Sequence, residues 1–560
     1  MKLALLLIFF NLANFRIANA QDWIATSILV AKTESVTFVV DLAKKQSDWL
    51  EKTINDISDP ESINYQRYLT NEDIAENIGR TNEEIKAITK QFSNLCSYLC
   101  PMHAKTLVHK DYIEFKTCVA RFECMFHSQL FYYKNPFREN FMVHIDKNNP
   151  IILDHILKQQ GFSHSIRSII TGIDKIGHPA PPLRSTLIKT ESASSERVDP
   201  LIAQSVYGTK SFSSKGLPKN NSQASQCTVD IEINYIPGEI ITNFQNEFKL
   251  PVNPIDFIVV ESSYFNSSGW ETETLLDTEY ISSITDLPTC GYLDGNNINF
   301  VTFVSYMMNR ANAAKVVSFS YCNFENLWSP YLMDQANSEF QKLGIAGFTV
   351  LFAAGDAGTG NTAATGCNGV FSPEFPASSP YVAAVGATYL STDLKNQHPW
   401  SNGGGGFSTH FKRPSWQNDA VSKYLESTPN LPDSSLFNSS GRGYPDLVGF
   451  GQNVLMLTQT GWEAVGGTSA ATPMASSVIS AFNAERLRLN KPPIGFFLPA
   501  LYKLSGGLGY DVTSGNNYQF SGDGFYGSNT ICRNGFPAAS GWDASSGWGS
   551  PNLEALLKIF

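Results

Sequence analysis

The sequence is poor in charge, and what charge it has is mostly negative. Only 16% of its 560 residues are charged, with a formal net charge of −10, which argues against nucleic acid as a partner. Beyond the first twenty residues no apolar run approaches the length needed to cross a bilayer, so no membrane span is expected. No internal repeat of fixed period is present, and the nine cysteines lack zinc-finger spacing with histidine. Histidine itself is scarce where it would matter. Seven of the nine (His103, His109, His127, His144, His155, His164 and His178) lie in the first third of the chain, and only His398 and His410 follow. Neither of these two has an obvious acidic orienting partner nearby in sequence, which makes a Ser-His-Asp triad unattractive.

The first residues, "MKLALLLIFFNLANFRIANA", combine a basic Lys2, a short apolar run and small residues at Ala18 and Ala20. That is the layout of a secretory signal peptide, with cleavage expected before Gln21. Three glycosylation sequons (Asn220, Asn266, Asn438) and cysteines suited to disulfides fit an oxidising route. Four cysteines (Cys96, Cys100, Cys118, Cys124) sit together. The other five (Cys227, Cys290, Cys322, Cys367, Cys532) are dispersed, so at least one of those is expected to be a free thiol.

The texture divides the chain. Residues 21–192 mix helical and strand-like pieces, and 193–226 are rich in Ser, Lys, Asn and Gly, as in a linker or processing region. From 227 to 560, continuous apolar runs ("IDFIVVES", "AAKVVSFSY", "FTVLFAAGD", "YVAAVGAT") alternate with helical stretches such as "SPYLMDQANSEFQKLG". Buried parallel strands read this way, so a doubly wound α/β sheet is expected.

Four features in this second part bear chemistry. "VGGTSAATP" places Ser469 where a helix opens, a setting for a nucleophile that needs a base to take its proton. In "GWETETLLDTEYISS", Glu273 and Asp277 are spaced i, i+4 and share one helix face. On a solvated helix this pair would mean little. Trp270, Leu275, Leu276, Tyr280 and Ile281 indicate a buried helix, where two carboxyls cannot both ionise freely and at least one should hold its proton more tightly. A glutamate of that kind is a usable base in acid, where histidine is already protonated. Asp356 falls just after an apolar run, at the strand edge where open α/β sheets place ligands, although a plain turn is the simpler reading for it alone. "SNGGGGFS" (Ser401–Ser408) is either a flexible loop or a bare backbone edge able to pair with an extended peptide.

Glu273, Asp277, Asp356 and "GGTSAATP", in that order, resemble the sedolisin family of serine-carboxyl peptidases, and the resemblance extends over nearly the whole precursor. It implies a subtilisin-like catalytic domain after a smaller α+β propeptide that inhibits until it is removed in acid. By that resemblance Ser469 is the nucleophile, Glu273 the general base, Asp277 its orienting partner, and a protonated Asp356 the oxyanion donor beside the backbone N–H of Ser469. One oxyanion donor is worth roughly 3–4 kcal/mol in the transition state. The family's single Ca2+ site matches "YDVTS" and "AASGWDASSGWG", which implies carboxylates from Asp511 and Asp543 and carbonyls from Val512, Ala539 and Gly541. Ala539 stands where glycine is usual, and "GDAGTGNTAATGC" runs longer than the family's turn. The implied activity is release of tripeptides from free N-termini of peptides in acid. An acid endopeptidase with the same residues is the alternative, and an inactive luminal binding protein a third. The implied destination is lysosomal or secreted.

Overall fold

The structure, a computed structural model, describes residues 24–134, 141–145, 153–174, 188–189, 195–217, 222–231, 238–261, 272–294, 298–360, 369–518 and 534–560. The signal segment, Trp270, Cys367, Cys532, Asn220 and Asn266 lie outside these residues.

The N-terminal domain is built on an antiparallel sheet of strands β1 (Ser35–Leu42), β2 (His103–Thr106), β3 (Tyr112–Cys118) and β4 (Ile170–Asp174), in the order β2-β3-β1-β4. Helices α1 (Asn82–Asn94) and α2 (Val119–Phe126) cover one face. The start of α1 is fixed by a reciprocal cap, in which Thr81 accepts from the Glu84 amide while the Glu84 side chain accepts from the Thr81 amide. Phe38 sits at the centre of the core, with Phe115, Phe122 and Phe126 rings 5.3, 5.4 and 5.4 Å away. The four clustered cysteines pair as Cys96–Cys124 and Cys100–Cys118.

Two short elements lead out of this domain, β5 (Ile188–Lys189) and α3 (Pro200–Tyr207). Here the linker expectation needs correction. Asp199 caps α3, Pro200 occupies its first turn, and Val198, Ala203 and Tyr207 are buried in the C-terminal domain's core. Polar composition hid a segment anchored by a few apolar side chains.

The C-terminal domain carries the expected doubly wound sheet. Its parallel strands are β6 (Gln226–Asp230), β7 (Ile255–Glu261), β8 (Thr289–Asp294), β9 (Val316–Phe319), β10 (Thr349–Ala353), β11 (Ala383–Leu390) and β13 (Leu447–Phe450). An antiparallel strand, β12 (Gln397–Pro399), is added at one side. The order runs β7-β8-β6-β9-β10-β11, with β12 and β13 both paired to β11. Cys227 on β6 and Cys290 on β8 are register partners joined by a disulfide. Helices α4 (Thr272–Ile284), α5 (Phe300–Asn309), α6 (Pro330–Ile345) and α7 (Thr468–Arg488) flank the sheet. A hairpin of β14 (Val454–Thr458) and β15 (Gly461–Gly466) leads directly into α7. No helix among the described residues is long and apolar enough to cross a membrane.

The two domains meet through α5 and α6. Val301 of α5 joins Val39, Leu107 and Tyr112 in a small apolar cluster. Beside it, buried Lys342 donates to Asp111 at 2.6 Å and to Glu339 at 2.5 Å, and the Tyr112 hydroxyl donates to Glu339 at 3.0 Å. Asn299 donates to Asp174 at 2.6 Å and Gln335 to Asp41 at 2.7 Å. The interface therefore combines these buried polar contacts with apolar packing, in which Leu50, Ile54, Ile57, Ile74 and Ile78 of the N-terminal domain join the C-terminal core.

Candidate active site

The ends of β9 and β10 and the start of α7 converge at one edge of the sheet. Every residue from Glu273 to Ile284 on α4 is buried, so Glu273 and Asp277 are interior carboxyls rather than surface charges, at 2% and 0% exposure. Ser469 is the second residue of α7 and is also buried. Asp356 follows β10 by three residues and is 5% exposed.

Ser320, just past β9, links these elements, and it was not singled out from the sequence. Its hydroxyl lies 2.7 Å from Asp277 Oδ1 and 3.3 Å from the Ser469 carbonyl oxygen, able to donate to either. The reason lies in the sequence. Pro473 inside α7 has no N–H, so the Ser469 carbonyl lacks its helical donor and Ser320 supplies one. In return the Ser469 hydroxyl donates to the Ser320 carbonyl at 3.3 Å. Ser469 and Asp277 thus hang on one residue, one helix turn from Glu273. The signal that could have found Ser320 was the hydroxyl run "SFSY" at the end of an apolar strand.

Asp356 is held by the residue before Ser469. The Thr468 amide and hydroxyl both donate to Asp356 Oδ1, at 2.7 and 2.8 Å, and the Gly355 amide donates back to the Thr468 hydroxyl at 3.1 Å. The carboxyl therefore faces the amide-rich start of α7. The glycine run is neither a loose loop nor an open edge. A Cβ on Gly404 would lie 1.9 Å from the Ala354 carbonyl oxygen, and one on Gly405 2.2 Å from that of Ala544. Bare backbone wedges between the Asp356 turn and the C-terminal loops, so glycine is required by close approach.

Neither late histidine touches Ser469. His398 packs on Tyr389, and His410 Nε2 lies 2.7 Å from Asp334 Oδ1, a partner 76 residues away that local sequence did not show. Among the dispersed cysteines Cys322 is buried, its Sγ 2.8 Å from Glu374 Oε2.

The residues expected to hold calcium lie in two loops that hydrogen-bond to each other. The Gly541 amide donates to Asp511 at 2.9 Å, the Ala539 amide to Asp543 at 3.1 Å, and the Ser546 hydroxyl to the Val512 carbonyl at 3.4 Å. Asp511, Ala539 and Gly541 line one cavity of about 740 Å³. Two carboxylates and three carbonyls are a hard, all-oxygen donor set that fits Ca2+. Among the described residues no group of three or more Asp, Glu, His or Cys side chains is placed to hold a metal ion. Asn438, the one sequon within the described residues, is half-buried and its Nδ2 donates to the Ser408 carbonyl at 3.0 Å.

Residues 21–159 match the family model described as "Pro-kumamolisin, activation domain". The chain is 30% identical to tripeptidyl-peptidase 1 of Rattus norvegicus over 544 residues, covering 94% of this chain and 91% of that protein. It is 29% identical to the Homo sapiens protein of the same name over the same shares. The solved structure of Pseudomonas sedolisin, a serine-carboxyl proteinase, superposes with a TM-score of 0.51 at 22% identity, covering 65% of this chain and 98% of that one, and so shares the fold. The chain, with its activation domain, its parallel seven-stranded sheet and a relative matched over nearly its whole length, belongs to the sedolisin family of serine-carboxyl peptidases.

Proposed function

We propose that the mature enzyme removes tripeptides from the free N-termini of peptides in acid, and that the N-terminal domain is its inhibitory propeptide. The observation that carries the catalytic part is the Ser320 bridge, which joins the acidic helix α4 to the nucleophile's helix. In this reading the Ser469 hydroxyl attacks the substrate carbonyl carbon and its proton passes to Glu273, with Asp277 orienting that carboxyl. Negative charge builds on the carbonyl oxygen, stabilised by the Ser469 backbone N–H and by a proton held on Asp356. A neutral carboxyl is required there, because an ionised one cannot donate. As the C–N bond breaks, Glu273 returns the proton to the departing amine. Water then repeats the sequence on the acyl-enzyme, and Ser469 is restored with its proton.

The inhibitory role is supported by β5. Ile188 and Lys189 pair antiparallel with Gly466 and Val465 at the end of β15, three residues before Ser469. A strand laid there covers backbone that an extended substrate would use. The tripeptidyl preference draws on the similarity to the tripeptidyl-peptidase 1 proteins. A calcium ion held by Asp511, Asp543 and the carbonyls of Val512, Ala539 and Gly541 would cross-link the two C-terminal loops and stabilise them. Three disulfides suit a secretory route, ending in a lysosome or outside the cell.

The test is to acidify the purified precursor to about pH 4, near the ordinary glutamate range. An Ala-Ala-Phe reporter with a free amine is assayed beside an N-blocked peptide, with Ser469→Ala in parallel. Shortening of the precursor, cleavage of the free-amine reporter alone and an inert variant are expected. Cleavage of the blocked peptide would make the protein an endopeptidase, and equal silence of wild type and variant would favour a binding role.

A further inference from the structure

The two edges of β15 are paired unequally. On one edge its residues from Gly461 to Val465 are register partners of β14. On the other, among the described residues, only Val465 and Gly466 are paired, with Lys189 and Ile188 of β5. That short ladder has a direction. Because β5 runs antiparallel, its chain passes Gly466, at the end nearest Ser469, and then moves towards the tip of the hairpin. A peptide laid there in the same direction has its reacting bond by Ser469 and the residues beyond that bond running along β15. For an enzyme that takes only three residues, those are the whole remainder of the peptide. Extending the register sets successive residues of this leaving group opposite Ala464, Glu463 and Trp462. The four steps from Gly466 to Trp462 span roughly 13 Å, out of reach of a short leaving group.

The hairpin's side chains divide by face. Val454, Met456 and Val465 are buried, whereas Leu455, Leu457 and Ala464 are half-buried and Trp462 is 43% exposed. The latter four share one face, since Leu457 is the register partner of Trp462 and Leu455 of Ala464. Trp462 is not loose on that face. Its ring lies 5.8 Å from that of buried Phe244 and 5.7 Å, edge-on, from that of Phe248, at the end of the helix Gly238–Glu247. An indole steadied by two rings and still open to water is a preformed apolar surface. It sits in line with the strand edge that β5 begins to cover, and side chains directly opposite in an antiparallel pair share a face and touch.

We propose that Trp462 is a specificity-determining residue for the leaving-group side of the substrate: it receives an apolar or aromatic side chain four residues past the one that faces Gly466, so that long peptides bind better than short ones. The proposal rests on the assignment of Ser469 as nucleophile and of β5 as the strand that a substrate replaces.

The experiment measures kcat and KM at about pH 4 for acid-processed wild type, Trp462→Ala and Trp462→Phe. One substrate is the free-amine Ala-Ala-Phe reporter, which carries no residues beyond the reacting bond. The others are Ala-Ala-Phe peptides extended by Gly-rich leaving groups of about two to about ten residues, with a single Phe moved one position at a time. In wild type, Phe at one distal position should lower KM about fivefold or more against Gly there. Trp462→Ala should lose that gain, with kcat within about twofold and the reporter and the shortest peptides unchanged, while Trp462→Phe keeps most of it. The wild-type scan needs no variant, so the test survives if Trp462→Ala does not fold. A flat scan overturns the proposal. So does a preference that persists in Trp462→Ala, or a loss that falls equally on the reporter, which marks a merely structural role. If Ser469→Ala retains activity, the assignment of the site has failed. If that variant is inert and the scan is flat, only the role given to Trp462 has failed.

Discussion

Two buried acid clusters in this molecule respond to protons in opposite ways. At the domain interface, Asp111 and Glu339 share the ammonium of Lys342, and all three are almost without exposure. Burial alone would push the Asp111 carboxyl up, but Lys342, with Lys44, holds it below its ordinary value. In the catalytic sheet, Asp230 has only hydroxyls for company, and burial wins. The cation holds the Asp111 carboxylate as an anion, although burial still pushes Glu339 on the same ammonium up, and a cage of hydroxyls leaves Asp230 free to keep a proton. His109 sharpens the contrast. Burial and the nearby Lys342 push it down to about 3, so it stays neutral in the intact precursor and gains a proton once exposed. The interface therefore weakens as acid is added, while the sheet that holds the active site becomes easier to keep folded.

That contrast can be attacked at several points, each read by unfolding of the Ser469→Ala precursor so that processing does not intervene. The largest effect is expected from Lys342→Met, which leaves two buried carboxylates unpaired and should destabilise the precursor by about 3–5 kcal/mol at neutral pH. The loss should shrink in acid as those carboxyls protonate, and a pH-independent loss would contradict the ionic account. Next is Asp230. Its folded value near 7 lies above the unfolded value of about 3.9, so its contribution is full below pH 3.9 and is lost as pH rises through 7, about 4 kcal/mol in all. Asp230→Asn should remove that slope, and an unchanged slope would show the carboxyl to be ionised throughout. His109 has the reverse sign: stability is full above about pH 6.5 and is lost as pH falls towards 3, some 2–3 kcal/mol by pH 4.5. His109→Gln should flatten the curve in that window. The smallest effect is Tyr112→Phe, which removes one hydrogen bond to Glu339 and should cost about 1.5–2 kcal/mol.

Much of this architecture was legible in the sequence, and the part that was not has a common cause. The runs that became β9, β10 and β11 are largely apolar because both faces of those strands are covered, and that pattern survives without knowing the partners. The helix of Glu273 and Asp277 was readable from its apolar neighbours, and Asp356 from its place after β10. Ser320, Thr468, Asp230 and Lys342 carried no such mark. Each gains its role from a partner far along the chain, as Ser320 does from Asp277 and Ser469, 43 and 149 residues away. Composition misled in two places. The polar stretch holding α3 was anchored by Val198, Ala203 and Tyr207, and the glycine run was packed rather than loose.

The central claim is that a buried glutamate, not a histidine, takes the proton from Ser469. The direct measurement is kcat at about pH 4 for Glu273→Gln, processed in trans by wild-type enzyme, beside the double variant His398→Ala/His410→Ala. The account predicts that Glu273→Gln loses at least about a thousandfold while the double variant stays within about threefold of wild type. A Glu273→Gln enzyme that keeps a tenth or more of the activity, or a double variant that is inert, would contradict it.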